Sequence, residues 1–359
     1  MRSQDMSSWL CAAVAALSVG FAQGRPGKCK PAPSVRREWR SLSLPERKAY
    51  LDAVVCLQNA PPKLQHRFPG SRSRYDDFQA THMSATDIHW NGPFPAWHRW
   101  FIHLFEDELR QTCGYQGYLP YWNWALDSNS EADVMKSPIW DSEFGFGGNG
   151  EFVPDDVASK VDNVPFVVPG RKGGGCVKDG PFAKRNVSMG LGPSVEFAPH
   201  CLRRDISPWL ISRSLNQGVV DRALSRPDYM QFNIDLQGGV DPDTMLLHGG
   251  GHVGVGGNTG DLSNVNSSPG DPLFWCHHAN LDRIWALWQA KDWPARKSDF
   301  SGPRKEWAKP FNIVAGQPEV ISEQATLDDE LKYGELTATI KIRDVMDINC
   351  KDILCVRYE

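Results

Sequence analysis

The sequence predicts a mainly α-helical domain with long irregular loops and a small β-rich closing segment. Three observations predict it. Apolar residues recur at helical spacing in several stretches, between residues 43 and 112 and again between 271 and 291. The stretch from Asp127 to Pro199 is rich in Gly, Ser, Pro and Asp and carries no regular period. After Pro310 the pattern becomes strand-like.

The elements follow in order. Ser43 and Glu46 have capping-box spacing, with Pro45 in the first turn. Tyr50, Ala53, Val54 and Leu57 then mark one helical face, and Pro61-Pro62 ends it. A second helix is expected over Tyr75 to His82. A third runs from Pro95 to Thr112, with Trp97, Trp100, Phe101, Leu104 and Phe105 as its apolar stripe, and Cys113-Gly114 closes it. Further helices are expected from Ser207 to Leu224 and around His248. The last strong helix starts at Asp271 as N-cap, with Pro272 at its first position, and runs to Lys291. Leu336, Ala338, Ile340 and Ile342 alternate with Thr337, Thr339 and Lys341, the period of a half-buried strand. Gly145, Gly147 and Gly150 spell G-x-G-x-x-G, but without the flanking strand and helix that dinucleotide binding needs.

A chain of 359 residues, 41% hydrophobic, can bury a substantial core. Its net charge of −4 gives no case for nucleic acid or anionic membrane partners. Residues 1–22 read as a cleaved secretory signal. Arg2 supplies the charged end, Leu10 to Leu17 the apolar run, and Gly20-Phe21-Ala22 the cleavage site. Residues 23–359 then form one domain of a secreted protein. Of nine cysteines the signal removes Cys11, which leaves an even count suited to disulfides. Cys176 and Cys201 are the expected pair, since both lie in the Gly-rich insertion. Cys276 is expected to be buried or disulfide-bonded. Asn186 and Asn266 are glycosylation sequons, and Asn186 is the better placed.

The histidines carry the chemistry. His82, His89 and His98 form one triplet; His248, His252 and His278 form another. Neutral imidazole is a good ligand for zinc, copper, iron or nickel. Two all-nitrogen triplets suggest two metals with three histidines each and open positions for a small molecule. His248 and His252 are four residues apart, so a helix would place them about 5–6 Å apart on one face. Three glycines lie between them. They weaken the helix but would let another chain segment or a substrate come close. Asp282 is four residues beyond His278 and could support a ligand from behind. His103 lies roughly 140° round its helix from His98. His103, His277, His66 and His200 are therefore expected to be structural or surface groups.

The run P-A-W-H-R-W-F-I-H-L-F-E around His98 and the run D-P-L-F-W-C-H-H-A-N-L-D-R-I-W around His278 resemble the two copper-binding motifs of the tyrosinase and catechol oxidase family. Pro120 to Trp124 resembles that family's Pro-Tyr-Trp-Asp-Trp element, with Asn123 in place of Asp. The likeness runs from about Tyr50 to Gln289 and is nearest to short fungal secreted enzymes. It implies a four-helix bundle holding a dinuclear copper site. It assigns the second residue of His277-His278 as the ligand. It also implies a phenolic substrate and O2 as partners, with o-diphenols oxidised to o-quinones.

The resemblance also bears on ortho-hydroxylation of monophenols. Gly249 stands where some monophenol-active members carry a water-orienting Asn. Gln237 is the nearest match to their proton-accepting Glu, and an amide is a far poorer proton acceptor. Both departures favour a catechol oxidase with weak or no hydroxylation. Val265, thirteen residues before His278, matches the gate position and should leave the entrance wide. Asp87 occupies the position of a thioether-forming Cys, so no thioether is expected there. Zinc is the alternative metal, although the chain has no H-E-x-x-H. A full tyrosinase, a tailoring oxidase of phenols or o-aminophenols, and a haemocyanin-like O2 carrier are the alternative functions.

Overall fold

Ser43 starts the first helix as its spacing predicts. In helix α1 (Leu44–Asn59) the Ser43 hydroxyl accepts the Glu46 N–H, and the Glu46 carboxylate accepts the Ser43 N–H at 2.7 Å. Such a cap contributes about 1 kcal/mol. Tyr50, Ala53, Val54 and Leu57 are all buried, so the predicted face is the real one. These features come from a computed structural model that describes residues 33–161, 163–350 and 353–359. The expected signal segment, with Cys11, lies outside the described residues.

Helices α2 (Arg74–Ser84) and α3 (Phe94–Cys113) follow. Gly114 ends α3 at φ 66°, the left-handed conformation that glycine adopts without penalty. A Cys56–Cys113 disulfide ties the last turn of α1 to the end of α3. Helix α4 (Pro208–Ser214) and α5 (Gln217–Leu224) replace the single helix expected over residues 207–224. The break comes at Asn216, whose side chain accepts the Val219 N–H and restarts the helix. Helix α6 (Tyr229–Gln237), capped by Asp228, was not anticipated. Helices α7 (Leu247–Gly256) and α8 (Leu273–Ala290) are the last two of the longer helices. At the head of α8, Asp271 accepts the Leu273 N–H at 3.0 Å while Arg204 grips its carboxylate at 2.7 and 2.8 Å.

The expected bundle is the group α2, α3, α7 and α8. Aromatic packing sets α3 against α8: Phe105 stacks on Trp275 at 3.6 Å between ring centroids. Beside it a buried ion cluster crosses the bundle. Arg99 of α3 bonds Asp282 of α8 at 2.5 Å, and Arg36 bonds Glu106 at 2.7 Å. The Tyr358 hydroxyl donates to Asp282 at 2.6 Å. Arg36 and Tyr358 lie on two short parallel strands, Ser34–Arg36 and Val356–Tyr358. The two ends of the described chain are thereby anchored to the helical core.

The insertion between residues 127 and 199 holds more than loops. Gly150–Phe152 pairs antiparallel with Gly174–Val177, and Asn186–Met189 pairs with Phe197–Cys201. Strands this short, with irregular register, leave no countable period. The expected Cys176–Cys201 disulfide links the two hairpins. In the closing segment the predicted strand shrinks to Ile340–Lys341, paired with Glu330–Leu331. Ile342 turns into the core and begins a short helix to Met346, whose first turn is capped by the Asp344 carboxylate on the Lys341 N–H. Among the described residues no helix is long and apolar enough to cross a membrane.

Burial pushes the Glu106 carboxyl up, but Arg36 and Arg110 outweigh it and hold the group at about 2. Its folded value is thus below its ordinary 4.5. The stabilisation is complete above that value and is lost as pH falls toward about 2. Denaturant midpoints of the metal-free protein should therefore fall steeply across this acid window. The Glu106→Gln variant should be weaker at neutral pH and fall less steeply. Equal slopes would contradict the assignment.

Candidate metal centre

Three separate pieces of chain bring in the first triplet. His82 comes from the last turns of α2, His89 from the loop between α2 and α3, and His98 from the first turns of α3. His248 and His252 share one face of α7, and His278 comes from α8. All six are buried. Within each triplet one nitrogen from each ring lies within 4.8 Å of the others, a spacing that could hold a metal ion. The triplets also face each other. His98 stacks on His278 with ring centroids 4.5 Å apart, and His89 on His248 at 5.7 Å.

The hydrogen bonds show which nitrogen is available. The Nδ1–H groups of His82, His98 and His252 face backbone carbonyls of Asn266, Phe94 and Leu262 at 2.6, 2.9 and 2.8 Å. Those bonds fix the tautomer and leave each Nε2 lone pair pointing inward. Nε2 of His82 and His98, and both ring nitrogens of His248, are buried with no hydrogen-bond partner. A buried polar atom left this way costs about 1–3 kcal/mol. Nε2 of His252 and of His278 lie 3.0 Å apart, an approach that suits two lone pairs converging on one cation. Desolvation pushes the pKa of His82, His98, His248 and His278 well below the ordinary histidine value, and that of His252 down to about 3. Burial therefore favours the neutral, metal-binding form of these five rings. An all-nitrogen donor set of this kind fits copper.

The glycines of α7 are explained by what they touch. A Cβ at Gly250 would lie 2.4 Å from Ser214 Cβ, and one at Gly254 would lie 2.5 Å from Ile211. They let α4 pack directly on α7. A Cβ at Gly251 would lie 2.1 Å from the His277 ring. That ring donates from Nε2 to the His248 carbonyl at 3.1 Å and accepts the Trp124 indole N–H at 3.2 Å. Both its nitrogens are used, so His277 braces α7 and faces away from metal chemistry. His103 packs on Trp100 and faces Asp107, His66 pairs with exposed Glu335, and His200 pairs with Asp261. All four have the structural or surface places expected of them.

The remaining sequence-predicted residues are placed as follows. Gly249 is buried beside His248, and the nearest atom to a Cβ there would be Met245 Cγ at 2.7 Å. Gln237 accepts the Trp90 N–H at 2.5 Å and donates to the Asn91 carbonyl and Asn233 at 3.1 and 2.9 Å. Its amide is committed to the loop that carries His89. Val265 is 41% exposed, between Asn264 and the Asn266 that anchors His82. Asp282 bonds Arg99, Arg36 and Tyr358, so any support it gives a histidine passes through Arg99, the neighbour of His98. Cys276 is the only free cysteine among the described residues and faces the Tyr50 hydroxyl, so among the described residues no free cysteine stands beside Asp87.

Two aromatic residues at the site escaped the sequence reading. Phe94 lies 4.6 Å from both His98 and His248, and Phe274 stacks on His278 at 4.1 Å. Each stands four residues before a histidine of the cluster, at His98 and His278. That i, i+4 repeat was the available signal.

The helical group around two facing histidine triplets defines a class: oxidases built on a pair of metal ions. The family model for the common central domain of tyrosinase matches residues 72–291. The chain is 37% identical to the N-acetyl-6-hydroxytryptophan oxidase ivoB of Emericella nidulans, over 98% of this chain and 99% of that protein. It is 37% identical to tyrosinase P of Aspergillus terreus, over 77% of this chain and 81% of that one. A glycine-to-asparagine variant of a polyphenol oxidase from Thermothelomyces thermophila superposes with a TM-score of 0.75 at 34% identity, covering 91% of this chain and 89% of that one. The chain belongs to the tyrosinase family, whose members are dicopper enzymes, and is a copper-dependent polyphenol oxidase.

Gly251→Ala should force the His277 ring away from α7. The expected loss is roughly 1–3 kcal/mol of stability in the metal-free protein, read by denaturant unfolding. Copper content should fall with it, because His277 braces the backbone of His248. A variant as stable as the parent would show that His277 moves freely.

Proposed function

We propose that the chain converts o-diphenols to o-quinones with O2, with weak or no ortho-hydroxylation of monophenols. His82, His89 and His98 hold one copper ion, and His248, His252 and His278 hold the other. When bound, the copper pair supplies the exchange of electrons with O2, which ends as water while each catechol loses two electrons and two protons. The observation that carries the reading is the set of inward, unpartnered ring nitrogens in a buried cluster.

The protein's own groups do the rest. Backbone carbonyls at Nδ1 hold three of the rings in the binding tautomer. Phe94 and Phe274 pack against the imidazoles of His248 and His278. Gly249 offers no side chain to orient a water. The Gln237 amide is a poor base and is already engaged with Trp90 and Asn91. A catechol needs less help to lose its protons than a monophenol does, so this site suits the catechol. Val265, exposed and next to the Asn266 whose carbonyl holds His82, is the residue proposed to border the entrance.

A tailoring role on one larger phenolic product is the second reading. It draws on the relative that matches nearly end to end, which is named for oxidising N-acetyl-6-hydroxytryptophan. We further propose that residues 1–22 are a secretory signal and that residues 23–359 form a single secreted domain. The Cys56–Cys113 and Cys176–Cys201 disulfides suit an oxidising compartment.

Oxygen uptake by the copper-loaded protein, with a simple catechol and its matched monophenol in parallel, tests the proposal. Uptake with catechol should be fast, and the monophenol should be slower by on the order of 10²-fold, the low end of what a positioned base contributes. Equal rates without a lag would refute the argument from Gly249 and Gln237. No uptake with either, at two coppers per chain, would favour a specialised substrate.

A further inference from the structure

The Nδ1 partners of the first triplet are of two kinds. His82 and His98 meet neutral backbone carbonyls. His89 meets a carboxylate: Nδ1 stands 3.5 Å from Glu306 Oε1, and the same oxygen accepts the His89 backbone N–H at 3.1 Å. Glu306 is 217 residues away in sequence, outside both histidine motifs. We infer that Glu306 is a positioning residue for His89, holding its ring and tautomer so that Nε2 faces the other two histidines.

The loop needs such a hold. His89 lies between Asp87 at φ 56° and Trp90 at φ 41°, a region costly for residues with side chains. No cysteine stands at position 87 to tie the loop covalently. The segment carrying Glu306 instead closes over it non-covalently. Asp87 accepts the Glu306 N–H at 3.1 Å, and Trp307 stacks on Trp90 at 4.3 Å. Gln237 pins the other side through Trp90 and Asn91. Backbone contacts and tryptophan stacking thus hold the loop in place, while the Glu306 carboxylate is the group that reaches the His89 ring. A carboxylate behind a metal-binding imidazole orients the ring and raises its basicity.

This inference rests on the reading that His82, His89 and His98 hold one copper. The test is copper binding by the full chain against a competing chelator, with Glu306→Ala, Glu306→Gln and His89→Ala, alongside thermal unfolding of each metal-free protein. Glu306→Ala should weaken one of the two copper equivalents by roughly 10–100-fold. Its metal-free unfolding temperature should fall only slightly, through loss of the acceptor for the His89 backbone N–H, since the Glu306 side chain is 28% exposed. Glu306→Gln keeps an acceptor oxygen and should recover most of the affinity. Unchanged binding in Glu306→Ala would overturn the inference while His89→Ala still lost a copper. Equal weakening of both coppers, or a metal-free protein already partly unfolded at the temperature of the binding measurement, would also overturn it, because the role would then be general folding. If His89→Ala kept both coppers, the ligand assignment itself would fall, and the inference with it.

Discussion

Six buried imidazoles gathered into two facing triplets are the constraint on which this molecule is built. Water would satisfy their ring nitrogens outside a protein; here burial removes it. Desolvation disfavours the charged form of His82, His98, His248, His252 and His278, so these rings bring no charge repulsion into the centre. The cost of leaving the inner nitrogens unpartnered is sustained only because the surrounding structure fixes every ring. That is why so many of the strongest contacts in the chain lie one layer out from the histidines.

The outer layer works by three means. Ion pairs fix helix register: Arg99 with Asp282 joins the helix of His98 to the helix of His278. Removing one partner of such a buried pair strands the other, which typically costs 3–5 kcal/mol. Close packing sets distance, and the glycines of the His248 helix trade helical propensity for contact with Ser214, Ile211 and His277. Backbone carbonyls from loops, at Asn266 and Leu262, set ring orientation. Loops that looked structureless in the sequence are therefore parts of the site.

How much was legible follows from the range of each interaction. The histidine triplets and the helices around them could be read because their signals are local: four-residue spacing, a capping box, a proline at a helix start. The fold class followed from the same signals and from the family resemblance they carried. The helix at Tyr229–Gln237 was missed because it buries Asn233, Asp235 and Gln237 together with its apolar residues, which blurs the amphipathic pattern. The break at Asn216 was missed because a polar residue inside a helical run gives no warning that it caps the next one. Glu306 had no local signal at all. Its meaning exists only once the chain has returned to the His89 loop.

The central claim is that these two triplets hold two copper ions through nitrogen alone. The most direct measurement is an anomalous difference map at the copper edge from crystals of the copper-loaded protein. The account predicts two peaks per chain, one bounded by His82, His89 and His98 and one by His248, His252 and His278, each at about 2 Å from three ring nitrogens. A single peak, or a peak bound through Asp282, Glu306 or Cys276, would contradict it.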